Sequence, residues 1–391
     1  MIRTTLLLAL LAALVQGGEQ SAPHLAKVTP PAAKIAVDAA IRTGVDFLVK
    51  NQNKDGSFGK RTVGRTYELW CHVPGGHMAF QGASTALCWL GMNDAPYQPE
   101  KSIEAQKKTL AWLVKYARVK RPFPAQFYNV WSFSYGLRAL GQALRKKSPG
   151  AAPEAIKKTM REIVKALDIY QSPDGGWGYL DFKMPGYKPT WSTSFTTATA
   201  LIGLYEAQKA GIEVPERVLQ RGIRLMKKYR TPDGNYGYSI SWRWRPQGAI
   251  NRPQGSSMRN QACNLALALF APQEYGEKKL RRGLRQLVDN HRFAIAGLRR
   301  PRPHESWYAV SGYFYLYGQQ YAAMVLDHMP QGDKNEFWPP LVRFVLKTRQ
   351  PDGSYWDYPT YGYHKFYGTG YALIALSRCP QDIAKTLTPK S

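Results

Sequence analysis

The sequence predicts an all-α protein, six helical hairpins closed into an α6/α6 toroid with a repeat of about 59 residues. Three observations carry that prediction. A turn cassette returns four times, its spacing implies six units, and six short runs are apolar all round. The clearest cassette is Gln171-Ser-Pro-Asp-Gly-Gly-Trp-Gly-Tyr179. It follows Met160, Ile163, Val164 and Leu167, an apolar stripe of helical period. Pro173, which lacks an amide donor, and Gly175, which tolerates positive φ, end that helix in a turn. Trp177 then stands where it can fold back onto the helix end.

The other copies are Gln52-Asn-Lys-Asp-Gly-Ser-Phe-Gly59, Arg230-Thr-Pro-Asp-Gly-Asn-Tyr-Gly237 and Gln350-Pro-Asp-Gly-Ser-Tyr-Trp356. Their aspartates, Asp55, Asp174, Asp233 and Asp352, lie 119, 59 and 119 residues apart. The long intervals are twice the short one, so two turns have lost the signature, near positions 114 and 293. The apolar runs begin at Thr85, Tyr135, Thr199, Asn264, Tyr321 and Tyr371, one per unit. Each unit is therefore an amphipathic helix, a turn and an apolar helix. Helices apolar all round must be buried, which favours an inner barrel of six inside an outer ring of six. The four aspartates and Trp177 read as structural turn residues.

The cassette resembles the prenyltransferase/squalene oxidase repeat shared by squalene–hopene cyclases and protein prenyltransferase β subunits. The resemblance runs from about Ile35 to Ser377. It implies a scaffold, and the reaction has to be read from the site. The cyclases carry an Asp-x-Asp-Asp acid motif followed by Thr-Ala; here the matching stretch is Thr193-Ser-Phe-Thr196 before Thr197-Ala198, with no carboxylate. The transferases place a zinc-binding His just before the last inner helix, where this chain has Gly368 within Tyr367-Gly-Thr-Gly-Tyr371. The resemblance therefore implies neither the usual acid nor the usual metal, and no cofactor is expected.

Residues 1–17 read as a secretory signal: Arg3, an apolar core from Leu6 to Val15, then Gln16-Gly-Gly18. That core is shorter than the ~20 residues a membrane span needs. Residues 18–33, with Pro23, Pro30 and Pro31, read as a disordered lead-in, and the toroid as residues 34–385. The chain is thus expected to be exported, to the periplasm or beyond. Cys71, Cys88, Cys263 and Cys379 are too few and scattered for a disulfide framework, although Cys71 and Cys88 could pair. No CxxC or HExxH spacing signals zinc.

The 54 Lys and Arg against 27 Asp and Glu leave a net charge of +27, a field that draws anionic partners. Part of it solvates outer helix faces. The rest lies in loops joining outer to inner helices, which should share one end of the ring. Arg61 and Arg65 lie in the first loop. Arg243, Arg245, Arg252 and Arg259 lie in or after the fourth, with Trp242 and Trp244 interleaved, and Arg299, Arg300 and Arg302 in the fifth. Inner-helix N-termini point the same way, so an anion-collecting mouth above a cavity is expected. The fifth inner helix is read as opening at His304 and Glu305 and as carrying Trp307, Tyr308, Tyr313, Phe314, Tyr315, Tyr317 and Tyr321. Such rings serve interhelix packing or line a cavity. Acid–base candidates are Asp357, His364, His304, Glu305 and Asp181.

Three functions fit this pattern: an exported ligand-binding toroid, a terpenoid or polyprenyl-lipid cyclase or transferase with non-standard residues, and a polysaccharide lyase or hydrolase. The expected partners are isoprenoid lipid, anionic polysaccharide or a membrane surface. No nucleic-acid motif accompanies the charge, and a monomer is expected.

Overall fold

A computed structural model describes residues 36–60, 73–240 and 248–387. All of them belong to one compact unit, Lys34–Ser391; a second unit, Met1–Ala33, lies outside the described residues. The expected signal and lead-in make up that second unit and lie outside the described residues. Arg61, Arg65, Cys71, Trp242, Arg243, Trp244 and Arg245 also lie outside the described residues.

The described chain alternates outer and inner helices. The outer set is α1 (Val37–Lys50), α3 (Glu100–Tyr116), α5 (Pro153–Ile169), α7 (Glu216–Tyr229), α9 (Glu277–Asp289) and α12 (Gln331–Leu346). The inner set is α2 (Met78–Asp94), α4 (Asn129–Arg145), α6 (Ser194–Lys209), α8 (Pro253–Phe270), α11 (Tyr315–Leu326) and α13 (His364–Leu376). Two short helices, α10 (His291–Ile295) and α14 (Gln381–Thr386), complete the described set. Each inner helix packs on the next, and α13 packs on α2, so the inner ring closes. At that seam Cys88 Sγ reaches the Phe366 carbonyl. A Cβ on Gly370 would come within 2.6 Å of the Leu87 carbonyl oxygen, so only glycine lets these two helices approach so closely. The fold is an α/α toroid.

Outer helices follow the amphipathic rule. In α5, Ile156, Met160, Ile163, Val164 and Leu167 are buried, one stripe facing the inner helices. Inner helices are buried on nearly every face, as in α6 from Ser194 to Leu204. Removing one stripe residue, as in Leu167→Ala, would cost ~2–5 kcal/mol by lost burial and a residual cavity.

The cassettes tie each repeat to the next. Trp177 Nε1 donates to the Leu167 carbonyl at 2.8 Å, folding back on the helix it has left. Gln171 Nε2 reaches forward to Val218 of α7 at 2.9 Å, and Gln52 Nε2 to Ala105 of α3 at 2.8 Å. Asp174 accepts from Gly176 and Ser192, and Asp55 from Ser57 and Trp112 Nε1. Gly353, at φ +86°, sits so close to α1 that a Cβ would meet the Thr43 carbonyl oxygen at 2.5 Å. The sixth turn therefore rests on the first outer helix and closes the outer ring. Where the fifth cassette is missing, His291 does the joining. Its ring stacks on Phe344 of α12 at 3.4 Å and bonds Tyr315 Oη at 2.6 Å; burial lowers its pKa to about 4.

Among the described residues, the long connections lie where inner helices begin. Loop segments pair laterally there: Lys60 with Gly362, Gln126 with Leu180, Thr193 with Ser239. The common end expected of the loops is thus present. One boundary differs from expectation. The fifth inner helix begins at Tyr315, so His304, Glu305, Trp307, Tyr308, Tyr313 and Phe314 precede it. Glu305 pairs with Val310 in a small hairpin, and Ser306 and Ala309 take φ +62° and +49°, conformations no α-helix admits.

Candidate functional site

Aromatic side chains fill the loop end of the ring. Phe80 of α2 lies 4.9 Å from Tyr128, and Tyr128 lies 5.7 Å from Tyr179. Tyr179 reaches Phe195 of α6 at 5.8 Å, and Phe195 reaches Phe314 at 4.8 Å. Phe80, Tyr128 and Tyr179 are half-buried, whereas Phe195 and Phe314 are buried. Burial thus deepens inward along the set. Rings at such distances and tilts gain from edge-to-face contact as well as burial.

One turn deeper, side chains meet across the axis. Six inner helices in sequence set α4 opposite α11, yet Trp131 of α4 lies 6.5 Å from Tyr317 of α11. Tyr317 Oη pairs with Thr199 at 2.9 Å, and Tyr135 Oη with Tyr371 Oη at 2.7 Å. Burial pushes the phenols of Tyr135, Tyr317 and Tyr371 well above their ordinary pKa. They stay neutral hydrogen-bonding groups.

Below the layer lies Arg138, 1% exposed. Its guanidinium stands over the rings of Tyr135 and Tyr321 at 5.7 and 5.6 Å. Its polar contacts are weak, a long 3.4 Å to Gln320 Oε1 and 3.3 Å to the poorly accepting thioether Sδ of Met324, and its Nε has no acceptor. Arg138 was not among the sequence candidates. The available signal was a single arginine inside the otherwise apolar run Tyr135-Gly-Leu-Arg-Ala-Leu140.

The sequence candidates fall into different surroundings. Asp357 is fully buried; Leu316 N–H donates to Oδ2 at 2.8 Å and Tyr367 O–H to Oδ1 at 3.1 Å. The carboxyl therefore closes the first turn of α11 at its positive end. Desolvation raises its pKa to about 7 despite those bonds. Asp181 is buried too, bound by Lys183 N–H and by Thr190 of its own loop. His304 turns to its hairpin, with Nδ1 3.2 Å from Ser311 Oγ, and loss of solvent lowers its pKa. His364 opens α13 with its ring 5.3 Å from Trp356. Glu305 is half-buried. His304 and Glu305 thus share one hairpin, while Asp357, Asp181 and His364 have separate neighbours.

The arginines divide in the same way. Arg259 leaves the rim and lies buried in α8, donating to the carbonyls of Gly255 and Ile250 at 2.7 Å and Tyr236 at 3.2 Å. Burial lowers its pKa to about 10. Arg299, at φ +63°, donates to the Thr348 carbonyl at 3.0 Å and covers Trp356 at 4.9 Å. Arg252 is half-buried, and Arg300 and Arg302 are exposed on the loop side. Trp307 is 80% exposed, while Tyr308 packs on Phe293 at 5.0 Å. Among the described residues, no group of three or more His, Cys, Asp and Glu could hold a metal. At Gly368 a Cβ would meet the Tyr355 carbonyl oxygen at 2.4 Å, so no side chain fits there. Cys88, Cys263 and Cys379 are buried thiols.

The architecture defines a class, the α/α toroids. It is similar to the type II terpene cyclase MstE from Scytonema in complex with geranylgeranyl dihydroxybenzoate: TM-score 0.52, 12% identity, 89% of this chain and 97% of that one. It is also similar to the unsaturated glucuronyl hydrolase of Bacillus sp. GL1: TM-score 0.55, 13% identity, 89% and 98%. Such identities establish the fold alone. No family model matches the chain. A stretch of 89 residues is 36% identical to alpha-2-macroglobulin of Thermotoga maritima, covering 23% of this chain. The chain spans 5% of that relative's length.

Proposed function

We propose that this protein binds an apolar, isoprenoid-like lipid among the aromatic side chains at the loop end of the ring. The carrying observation is the ring-to-ring series Phe80, Tyr128, Tyr179, Phe195 and Phe314, half-buried outside and buried within. Pockets for such ligands are concave and mostly apolar with few polar groups. The loop surface suits the ligand's source. Phe182, Met184, Tyr187 and Trp307 are exposed there, beside the exposed Lys183, Lys188, Arg300 and Arg302. Apolar prongs among basic residues favour an anionic membrane surface. Among the described residues no helix is long and apolar enough to cross a membrane. In this reading the protein is exported and takes its ligand from that surface.

A catalytic reading is favoured by one observation, the buried Asp357 carboxyl with a pKa of about 7. A carboxyl kept neutral near pH 7 is what proton donation to an apolar substrate requires. Glycan hydrolysis finds less support, since it needs paired accessible carboxylates, and Asp181 and Asp357 are both enclosed.

Lipid extracted from the purified protein should appear by mass spectrometry, and a labelled geranylgeranyl ligand should bind saturably. Tyr128→Ala should weaken that binding by about tenfold or more, the loss of one large ring contact in the middle of the series. A ligand that binds neither protein, or both equally, would refute the proposal. Turnover of a geranylgeranyl substrate that vanishes in Asp357→Asn would establish the catalytic reading.

A further inference from the structure

We infer that Arg138, Gln320 and Tyr321 form an anion site at the floor of the aromatic set. The inference rests on the ligand-binding reading and adds a polarity to it: the anionic end of the ligand lies deepest, with its apolar remainder toward the loops. Arg138 lies nine residues into α4, about 13 Å below the start of that helix. A guanidinium cannot shed its charge, and a buried charge is costly unless it is paired.

The partners at hand do not pair it. Nε has no acceptor. Nη1 has Gln320 Oε1 at 3.4 Å, at the outer limit of a hydrogen bond, and Nη2 faces a thioether sulfur at 3.3 Å. Two further donors beside it are buried and also lack an acceptor, Gln320 Nε2 and Tyr321 Oη. Tyr321 is held there by its ring, 4.8 Å from Tyr317 and 5.6 Å from the guanidinium carbon. Three donor groups from opposite walls of the ring, one of them charged, therefore converge with no carboxylate among their contacts. The missing element is an acceptor carrying negative charge.

The site's neighbours select its size and character. Tyr135, Tyr317 and Tyr371 stand between it and the loop side, all buried. A hydrated multivalent anion would be stripped of its water there without enough donors to replace it. A singly charged carboxylate, with two acceptor oxygens matching the guanidinium fork, is the fitting chemistry. It has two sources, the end of a fatty or prenylated acid reaching down through the rings, or a free small carboxylate.

The test uses the full chain in low-salt buffer, with dodecanoate and dodecanol titrated by calorimetry and acetate followed by thermal shift. The wild type should bind dodecanoate at least about tenfold more tightly than dodecanol, the worth of one charge-assisted hydrogen-bonded pair. Arg138→Met should bind the two alike, and Tyr321→Phe should lose dodecanoate affinity several-fold while keeping dodecanol. Should Arg138→Met fail to fold, Tyr321→Phe carries the comparison alone. Acetate that raises the Tm of the wild type and not of the variants, without a dodecanoate preference, would support the site with a free carboxylate as its occupant. Equal binding of acid and alcohol with no acetate response would overturn the anion site and leave the lipid-binding proposal standing. An acetate response without binding of either twelve-carbon ligand would support the site and refute the lipid reading.

Discussion

Two arginines of the inner ring are equally buried, and their surroundings could hardly differ more. Arg259, near the start of α8, gives its protons to the carbonyls of Gly255, Ile250 and Tyr236. Two of those acceptors lie in the loop before the helix, so its charge is spent on holding that loop. Arg138, in the middle of α4, has a long contact to an amide oxygen and a second to a weakly accepting thioether sulfur. Burial alone therefore does not say what a charged side chain is for. The count and quality of its acceptors does.

The sharpest way to break this contrast is to replace each arginine with methionine and compare urea denaturation. Arg259→Met should lose on the order of 3–5 kcal/mol, because several buried carbonyls are left without donors. If that variant kept its stability, the carbonyl contacts would not be the reason for the residue.

Asp357 extends the comparison to a buried acid. Its pKa in the folded protein is about 7, above the ordinary 3.8. The folded state therefore holds a proton that the unfolded state has released. The stability it permits is fully present below about pH 4 and declines as pH rises to about 7. That loss is on the order of 4 kcal/mol. Asp357→Asn should flatten the Tm profile across this window, and an unchanged slope would assign the pH dependence elsewhere.

Arg138→Met should move stability the other way, by ~1–3 kcal/mol upward in ligand-free buffer, since an apolar side chain replaces a poorly paired charge. A clear loss instead would give Arg138 a structural role, tying α4 to α11 through Gln320 and Met324. The smallest effect belongs to the exposed Arg300 and Arg302. Alanine at both should leave Tm within ~0.5 kcal/mol equivalent and still reduce binding to vesicles containing anionic lipid, measured by sedimentation.

The ring was legible because its signals are periodic. Turn chemistry at Asp55, Asp174, Asp233 and Asp352 repeats in register, and two missing copies could be inferred from the spacing. His291 could not be foreseen as the fifth joint, because its stacking on Phe344 joins residues 53 positions apart with no shared pattern. The start of α11 was misplaced for a related reason. The aromatic run from Trp307 onward has helical composition, but positive φ at Ser306 and Ala309 diverts the chain into a hairpin first. Within the candidate site, the sequence located the arginine-bearing loops and the abundance of rings. It could not tell that Arg259 turns back to its own loop, nor that Trp131 and Tyr317 meet across the axis, since both depend on ring closure.

That closure has a kinetic side. The contact of Cys88 with Phe366 joins residues 278 positions apart, and its loop entropy is recovered only after the intervening hairpins have formed. The contacts between the first and sixth hairpins then form late, and until they do the flanks of α2 and the Thr43 face of α1 stay uncovered. A nascent chain released before that step would expose two sticky edges that match each other, and the same seam that completes one molecule could join two in an exchanged dimer.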